Sequence, residues 1–368
     1  MWPNGNRLLV VAVTAAVLLV GTVGYVVTGL HSYDRYRLAY GNYQLDAASA
    51  CGALITWSPP HDVFTAFYVN QPSFLTIRYR SPHPQPLRIT LSIPRFTQEQ
   101  SFDVQSGPAF RALSFKPPLI DSSVLDSLVG PHSRDAQIVL RVHSADKVCD
   151  TSSPVRLESR QWMQWEDASG SDQSRYLAGW VTPQADVVNT LVGRSAQFLG
   201  EHPTWYRAAP ALYGYNGGQA SHQAVVDQVN ALFDTLQSVY QVHYVDENIP
   251  YAQNATQLIK LPKDVLNSAA PTGMCIETTV LMASAVEAIG MRPYIIIVPG
   301  HAFLGVALSA APSAPLEYWE TSDLNGSLRG DQANIHGDTE YNHYQSLSQI
   351  LRIIDIEQER QQAIQPIE

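Results

Sequence analysis

Three residue types that together perform acyl chemistry stand in order near the C-terminal end of the chain: Cys275, His301 and an acid at Glu320 or Asp323. Cys275 ends the loop PTGMC and opens IETTVLMASAVEAI, which reads as a largely buried helix stopped by Gly290 ahead of the apolar strand Tyr294 to Val298. At a helix start, unpaired backbone N–H groups and the positive end of the macrodipole favour a thiolate, which makes sulfur a competent nucleophile. His301 begins the next strand, PGHAFLGVALS, and SAAPSAP turns the chain into a further strand, LEYWETS. A hairpin of this length sets the start of one strand opposite the end of the other, so His301 faces the stretch from Glu320 to Asp323. A turn symmetric about Pro312 pairs 301 with 323 rather than 320, and both acids remain candidates. Either carboxylate would orient the imidazole and complete a set of nucleophile, base and orienter.

Two amphipathic helices precede that set. Thr182 before Pro183 supplies an N-cap and a first-turn proline; Val187, Val188, Leu191, Val192, Phe198 and Leu199 form one stripe, and Gly200 sits at the C′ position. A second helix, roughly 221 to 240, aligns Val225, Val226, Val229, Leu232, Phe233, Leu236 and Tyr240. Upstream, between Cys51 and Arg156, the runs DVFTAFYV, FLTIRYR, PLRITLSI, RALSFK and AQIVLRVHS are short, β-branched and aromatic, and separated by turn residues, as in an antiparallel sandwich. In FLTIRYR, Leu75, Ile77 and Tyr79 alternate with Thr76, Arg78 and Arg80, so one face packs inward and the other meets water. The polar stretch EDASGSDQSR, Glu166 to Arg175, reads as a linker.

Of three cysteines, Cys51 and Cys149 lie at the two ends of the β-patterned segment, which reads as one staple and one free thiol, Cys275. A disulfide there places the segment outside the cytoplasm. Residues 8 to 30 run without a charge, long enough to cross a ~30 Å hydrocarbon core, and read as an uncleaved membrane anchor. The 368 residues, 45% hydrophobic and 15% charged, suffice for two cored domains and exclude a disordered chain. Residues 1–150 hold 12 Lys/Arg against 10 Asp/Glu, and residues 151–368 hold 11 against 23, so nucleic acid is excluded as a partner of the acidic half. With no C-x-x-C or H-E-x-x-H and scattered histidines, the chain calls for no metal and no cofactor.

The run GMCIETTVLMASAVEAIGMRPYIIIVPGHAF followed by YWET resembles the transglutaminase-like branch of the papain-like cysteine enzymes, over about residues 220 to 325. That family's pattern is a G-x-C helix, an apolar strand, an H-A-aromatic strand and an acid followed by a small polar residue. The chain is also similar to bacterial anchored proteins in which a β-sandwich precedes such a domain, and RIIDIEQERQQAIQPI is similar to the segment that closes them. The resemblance implies an α+β fold: a transglutaminase-like or papain-like core of helix on antiparallel sheet, preceded by an Ig-like β-sandwich and an N-terminal transmembrane helix. The corresponding boundaries are a membrane anchor over 1–33, a β-sandwich over 44–160, a linker over 161–178 and a catalytic domain over 179–368.

By residue, the resemblance implies Cys275 as nucleophile, His301 as base and Glu320 as orienting acid, where the family has aspartate. Glu320 directly follows the strand aromatic Trp319, as the family acid does, and Asp323 is its competitor. Gln257, in NATQLIKLP, resembles a polar residue that recurs upstream of the cysteine and would join the Cys275 N–H in an oxyanion hole. Glu277 and Glu287 read as solvated helix positions or partners of the helix dipole. The expected function is attack on an amide or peptide bond through a Cys thioester, by hydrolysis or acyl transfer, at the cell envelope. The partners are then a peptide or protein amide substrate, the membrane through residues 8–30, and proteins bound by the sandwich. A different class, a binding or assembly module of the same fold with weak or lost activity, is the alternative.

Overall fold

The computed structural model describes residues 44–46, 51–145, 147–216 and 220–368. The expected anchor at 8–30 lies outside them; among the described residues no helix is long and apolar enough to cross a membrane. The protein is a mixed α+β structure whose chain divides into two units, one of residues up to His61 with Ser73–Ile120 and Gln137–Val155, the other of Asp62–Pro72, Asp121–Ala136 and Arg156–Glu368. The boundaries expected at 44–160 and 179–368 are therefore too simple, because two excursions and the end of the β-rich segment belong with the second unit.

The first unit takes its form from period-two alternation. Strands β1 (Gln44–Asp46), β2 (Leu54–Trp57), β3 (Leu75–Arg80), β4 (Gln85–Ser92), β5 (Gln100–Ser106), β6 (Arg111–Phe115), β7 (Arg134–Ser144) and β8 (Lys147–Glu158) form two sheets, ordered β1-β2-β3-β6 and β8-β7-β4-β5. Leu75, Ile77 and Tyr79 are buried, as the alternation requires. Phe102 of one sheet meets Phe115 of the other edge to face at 5.1 Å, so the two inner faces share a core. Cys51 and Cys149 are joined, with Cα atoms 6.1 Å apart.

DVFTAFYV, expected as one strand, is not one. Asp62–Phe64 pairs in parallel with Arg156–Glu158, and the chain then turns helical over Thr65–Asn70. Phe64 and Phe67 are three apart, and Phe67 stacks on Tyr176 at 4.7 Å and meets Trp180 at 6.5 Å; that aromatic contact selects the helical period over the local β preference. The expected linker at 161–178 is a correction of the same kind. Strand β9 (Trp162–Gln164) lies within it, Met163 and Trp165 are fully buried, and Leu177 joins the same core. Its polar residues sit in the short excursion between those anchors.

In the second unit β10 (His243–Tyr244), β11 (Thr256–Leu258), β12 (Thr272–Gly273), β13 (Pro293–Val298), β14 (His301–Ala307), β15 (Leu316–Trp319) and β16 (Arg352–Asp355) accompany the larger helices α1 (Asp186–Glu201), α2 (His222–Ser238), α3 (Cys275–Ala288) and α4 (Gly330–Ser346). The central antiparallel sheet runs β15-β14-β13-β16, so the closing segment supplies an edge strand. Largely apolar, α3 is buried from Cys275 to Val286, packed by that sheet and the helices α1 and α2. Helix α1 begins at Asp186 rather than after Thr182, whose N–H donates instead to Ser284 Oγ at 2.9 Å, and it runs through Gly200. Ser221 caps α2, accepting the Ala224 N–H at 3.1 Å.

Candidate active site

Cys275 is the first residue of α3, and the start of that helix is held from below. Glu277 accepts the backbone N–H groups of Met274 at 3.1 Å and Lys260 at 2.8 Å. This corrects half of the expectation for Glu277: it caps the helix start, but it is only 3% exposed, and burial pushes its carboxyl up while the Lys260 and Met274 donors and the Lys260 charge pull it back. Glu287 is an ion-pair partner of Arg360, at 3.0 Å. The glycine of G-M-C answers a close approach, since a Cβ at Gly273 would lie 3.1 Å from Thr278 Cγ2. Cys275 itself is fully buried, its Sγ 4.0 Å from the Glu247 carbonyl oxygen.

His301 opens β14 after Gly300, whose φ of +75° lets the chain turn sharply out of β13. Its Nε2 lies 2.9 Å from Glu320 Oε2, and the Cys275 side chain is near enough to act on the imidazole's titration. Burial pulls the imidazolium down, but Cys275 and Glu320, with the charges they carry, outweigh it and push the group up from 6.5 to about 10. Glu320 is fixed in turn: its Oε1 accepts the Ser322 N–H and its own N–H donates to the Ala333 carbonyl, both at 2.9 Å.

The choice between the two acids is decided by where β15 ends. Leu304 faces Trp319 and Gly305 faces Tyr318, a register that, continued, would put residue 322 opposite His301. The strand instead stops at Trp319, and Thr321–Asn325 winds into a 3₁₀ turn with Glu320 as its cap. Glu320 swings onto His301, whereas Asp323 is carried to His336, with Oδ2 2.8 Å from Nδ1. Cys275, His301 and Glu320 are thus brought together, and Asp323 is not among them.

Gln257 on β11 is buried beside the site. Its Oε1 accepts the Trp165 indole N–H at 3.2 Å, and its Nε2 lies 3.0 Å from Met274 Sδ, next to the cysteine in sequence. A thioether is a weak acceptor, so the amide N–H groups keep donor capacity. Sequence reasoning missed Trp165, which it placed in a linker, and Tyr244. The two-residue strand β10 pairs Tyr244 with Gly273, and burial first, then Cys275, Asp246 and Glu320, push its phenol up. A two-residue strand has no periodicity to detect. Among the described residues no group of three or more His, Cys, Asp and Glu is placed to hold a metal ion.

A thiol at a helix N-terminus, beside an imidazole that is hydrogen-bonded to a carboxylate, has the parts needed for nucleophilic acyl transfer. In comparison with known proteins, the chain matches no family model and no curated protein.

Proposed function

We propose that the second unit is a cysteine acyl-transfer or hydrolytic enzyme of transglutaminase-like type, acting on amide or peptide bonds. The observation that carries this is the gathering of Cys275, His301 and Glu320, with Cys275 acting on the imidazole and 2.9 Å between imidazole and carboxylate. In this reading the protonated His301 stabilises the Cys275 thiolate, whose sulfur attacks the carbonyl carbon and moves the π electrons onto oxygen. The Cys275 N–H and the Gln257 amide donate to that oxyanion. His301 then gives its proton to the departing amine as the C–N bond breaks, leaving a thioester. Water or a second amine attacks the thioester, His301 takes its proton, and the thiolate is expelled. Glu320 holds the imidazole in the orientation both halves require.

The Cys51–Cys149 bridge supports an extracytoplasmic location, with residues 8–30 as the anchor and the first unit as an Ig-like sandwich available to protein partners. The alternative, a binding module without turnover, has the burial of Cys275 on its side. Iodoacetamide labelling of the intact protein over a pH series separates the two. A reactive Cys275, with a rate that depends on His301, is expected; a Cys275 unreactive at every pH in folded protein overturns the enzyme reading.

A further inference from the structure

Beneath the site lie three polar side chains that packing alone does not call for. Thr278, Thr279 and Thr321 are each fully buried. Thr278 Oγ1 donates to Thr321 Oγ1 at 2.9 Å, and Thr279 Oγ1 stands 3.0 Å from the same oxygen. Thr321 Oγ1 donates to the Cys275 carbonyl at 3.4 Å, and Thr279 Oγ1 reaches the Ala302 carbonyl at 3.4 Å. The first carbonyl belongs to the nucleophile, Ala302 directly follows the base, and Thr321 directly follows the acid. One small hydroxyl cluster therefore joins the helix, strand and turn that carry Cys275, His301 and Glu320.

Thr278 has one proton and three acceptors in reach, Thr321 Oγ1 at 2.9 Å and the Met274 and Cys275 carbonyls of its own helix start at 3.1 Å; with the proton on the shortest of these, Thr321 donates to the Cys275 carbonyl and Thr279 to the Ala302 carbonyl. Valine has threonine's shape without the desolvation cost of a hydroxyl, so a stability argument favours valine at all three positions. What hydroxyls add is direction, since each bond is satisfied only at one relative placement of its elements. Nucleophile–base geometry is where such direction matters most, because a misplacement of about 1 Å costs on the order of 10²-fold in rate.

We propose that Thr321, through its hydroxyl contacts with Thr278 and Thr279, is a positioning residue that sets the separation between the Cys275 helix start and the His301–Glu320 pair. The role rests on the reading of Cys275 as nucleophile. Thr321 touches no reacting atom; it acts through the backbone of Cys275 and through the turn behind Glu320.

The test uses the whole protein and iodoacetamide, from which the Cys275 sulfur displaces iodide. Thr321→Val is expected to unfold with a normal cooperative transition, to lose about tenfold or more of the alkylation rate at neutral pH, and to shift the His301 imidazole titration seen by NMR to lower pH. Thr321→Ser, which keeps the hydroxyl and drops the methyl, should recover both properties. Thr278→Val breaks the same chain from the helix side, should reproduce the altered pH profile, and serves if Thr321→Val does not fold. Wild-type profiles in both valine variants, alongside a His301→Gln protein that has lost reactivity, overturn the positioning role and leave the Cys–His reading standing. So does a Thr321→Ser protein as impaired as Thr321→Val, since packing would then be the cause. If His301→Gln alkylates like wild type, the Cys–His reading falls and the positioning role falls with it.

Discussion

The first unit keeps its charges outside and its core apolar: Arg88 pairs with Asp103 on a wet face, Arg141 pairs with Asp150 and Glu99, and Ile77, Ile89, Leu91 and Phe115 fill the space between the sheets. The second unit buries Glu277, Glu320, Gln257, Asp234 and the three threonines, each with hydrogen-bond partners. The first unit is held by alternation and one covalent tie. The second unit holds part of its interior by directional bonds that cost desolvation and specify position in return. Among the described residues, buried carboxylates occur in the second unit and not in the first, and two of them, Glu277 and Glu320, hold the elements that carry Cys275 and His301.

The sharpest way to break that comparison is at the centre of the second unit. His301→Gln should lower Cys275 alkylation at neutral pH on the order of 10³-fold while leaving the unfolding of the first unit unchanged. Glu320→Gln keeps the thiol and the imidazole but loses the orienting carboxylate, and should cost on the order of 10²-fold. Equal rates in Glu320→Gln and wild type would return the orienting role to another group.

The complementary cut is in the first unit. The bridge between Cys51 and Cys149 spans 98 residues, so replacing both by serine should remove about 4 kcal/mol from the stability of that unit, read by denaturant midpoint. Cys275 alkylation should not move. A loss of alkylation in the serine variant would mean that the two units do not behave separately.

The pH dependence follows from His301. Its folded-state group is raised from 6.5 to about 10, so its contribution to stability is fully present below about pH 6.5 and is lost as pH rises through about 10. Calorimetry of Glu320→Gln should give a flatter stability curve over that window than wild type. An unchanged curve would mean that Glu320 is not what raises the imidazole and that Cys275 does so alone.

The smallest effect is expected at Asp323→Asn. The pair with His336 is half open to solvent, so its loss should cost at most about 1 kcal/mol and change alkylation less than threefold. A larger loss there than in Glu320→Gln would place the orienting acid at Asp323.

Much of the site was legible because its signals are local. A helix opening at Cys275, an apolar strand, a strand starting at His301 and a hairpin that returns an acid all follow from runs, turn residues and periods of two or 3.6. The same holds for alternation in β3 and for the pairing of the two cysteines that bracket the β-rich segment. Where sequence reasoning failed, a distant partner overrode the local pattern. Thr65–Asn70 is helical because Phe67 stacks on Tyr176, and Trp165 is buried despite the polar residues after it because it holds the Gln257 amide. The choice of Glu320 over Asp323 depended on β15 ending at Trp319, an event one residue wide that no period can locate. The threonine cluster was equally hidden: Thr278 and Thr279 read as ordinary helix residues, and only the fold brings Thr321 within 3.0 Å of both. Composition and spacing determined which residue types could do chemistry and on which elements they stand. Tertiary structure decided which side chains meet, because contacts between residues tens of positions apart depend on where elements stop, and that is settled by packing rather than by neighbours along the chain.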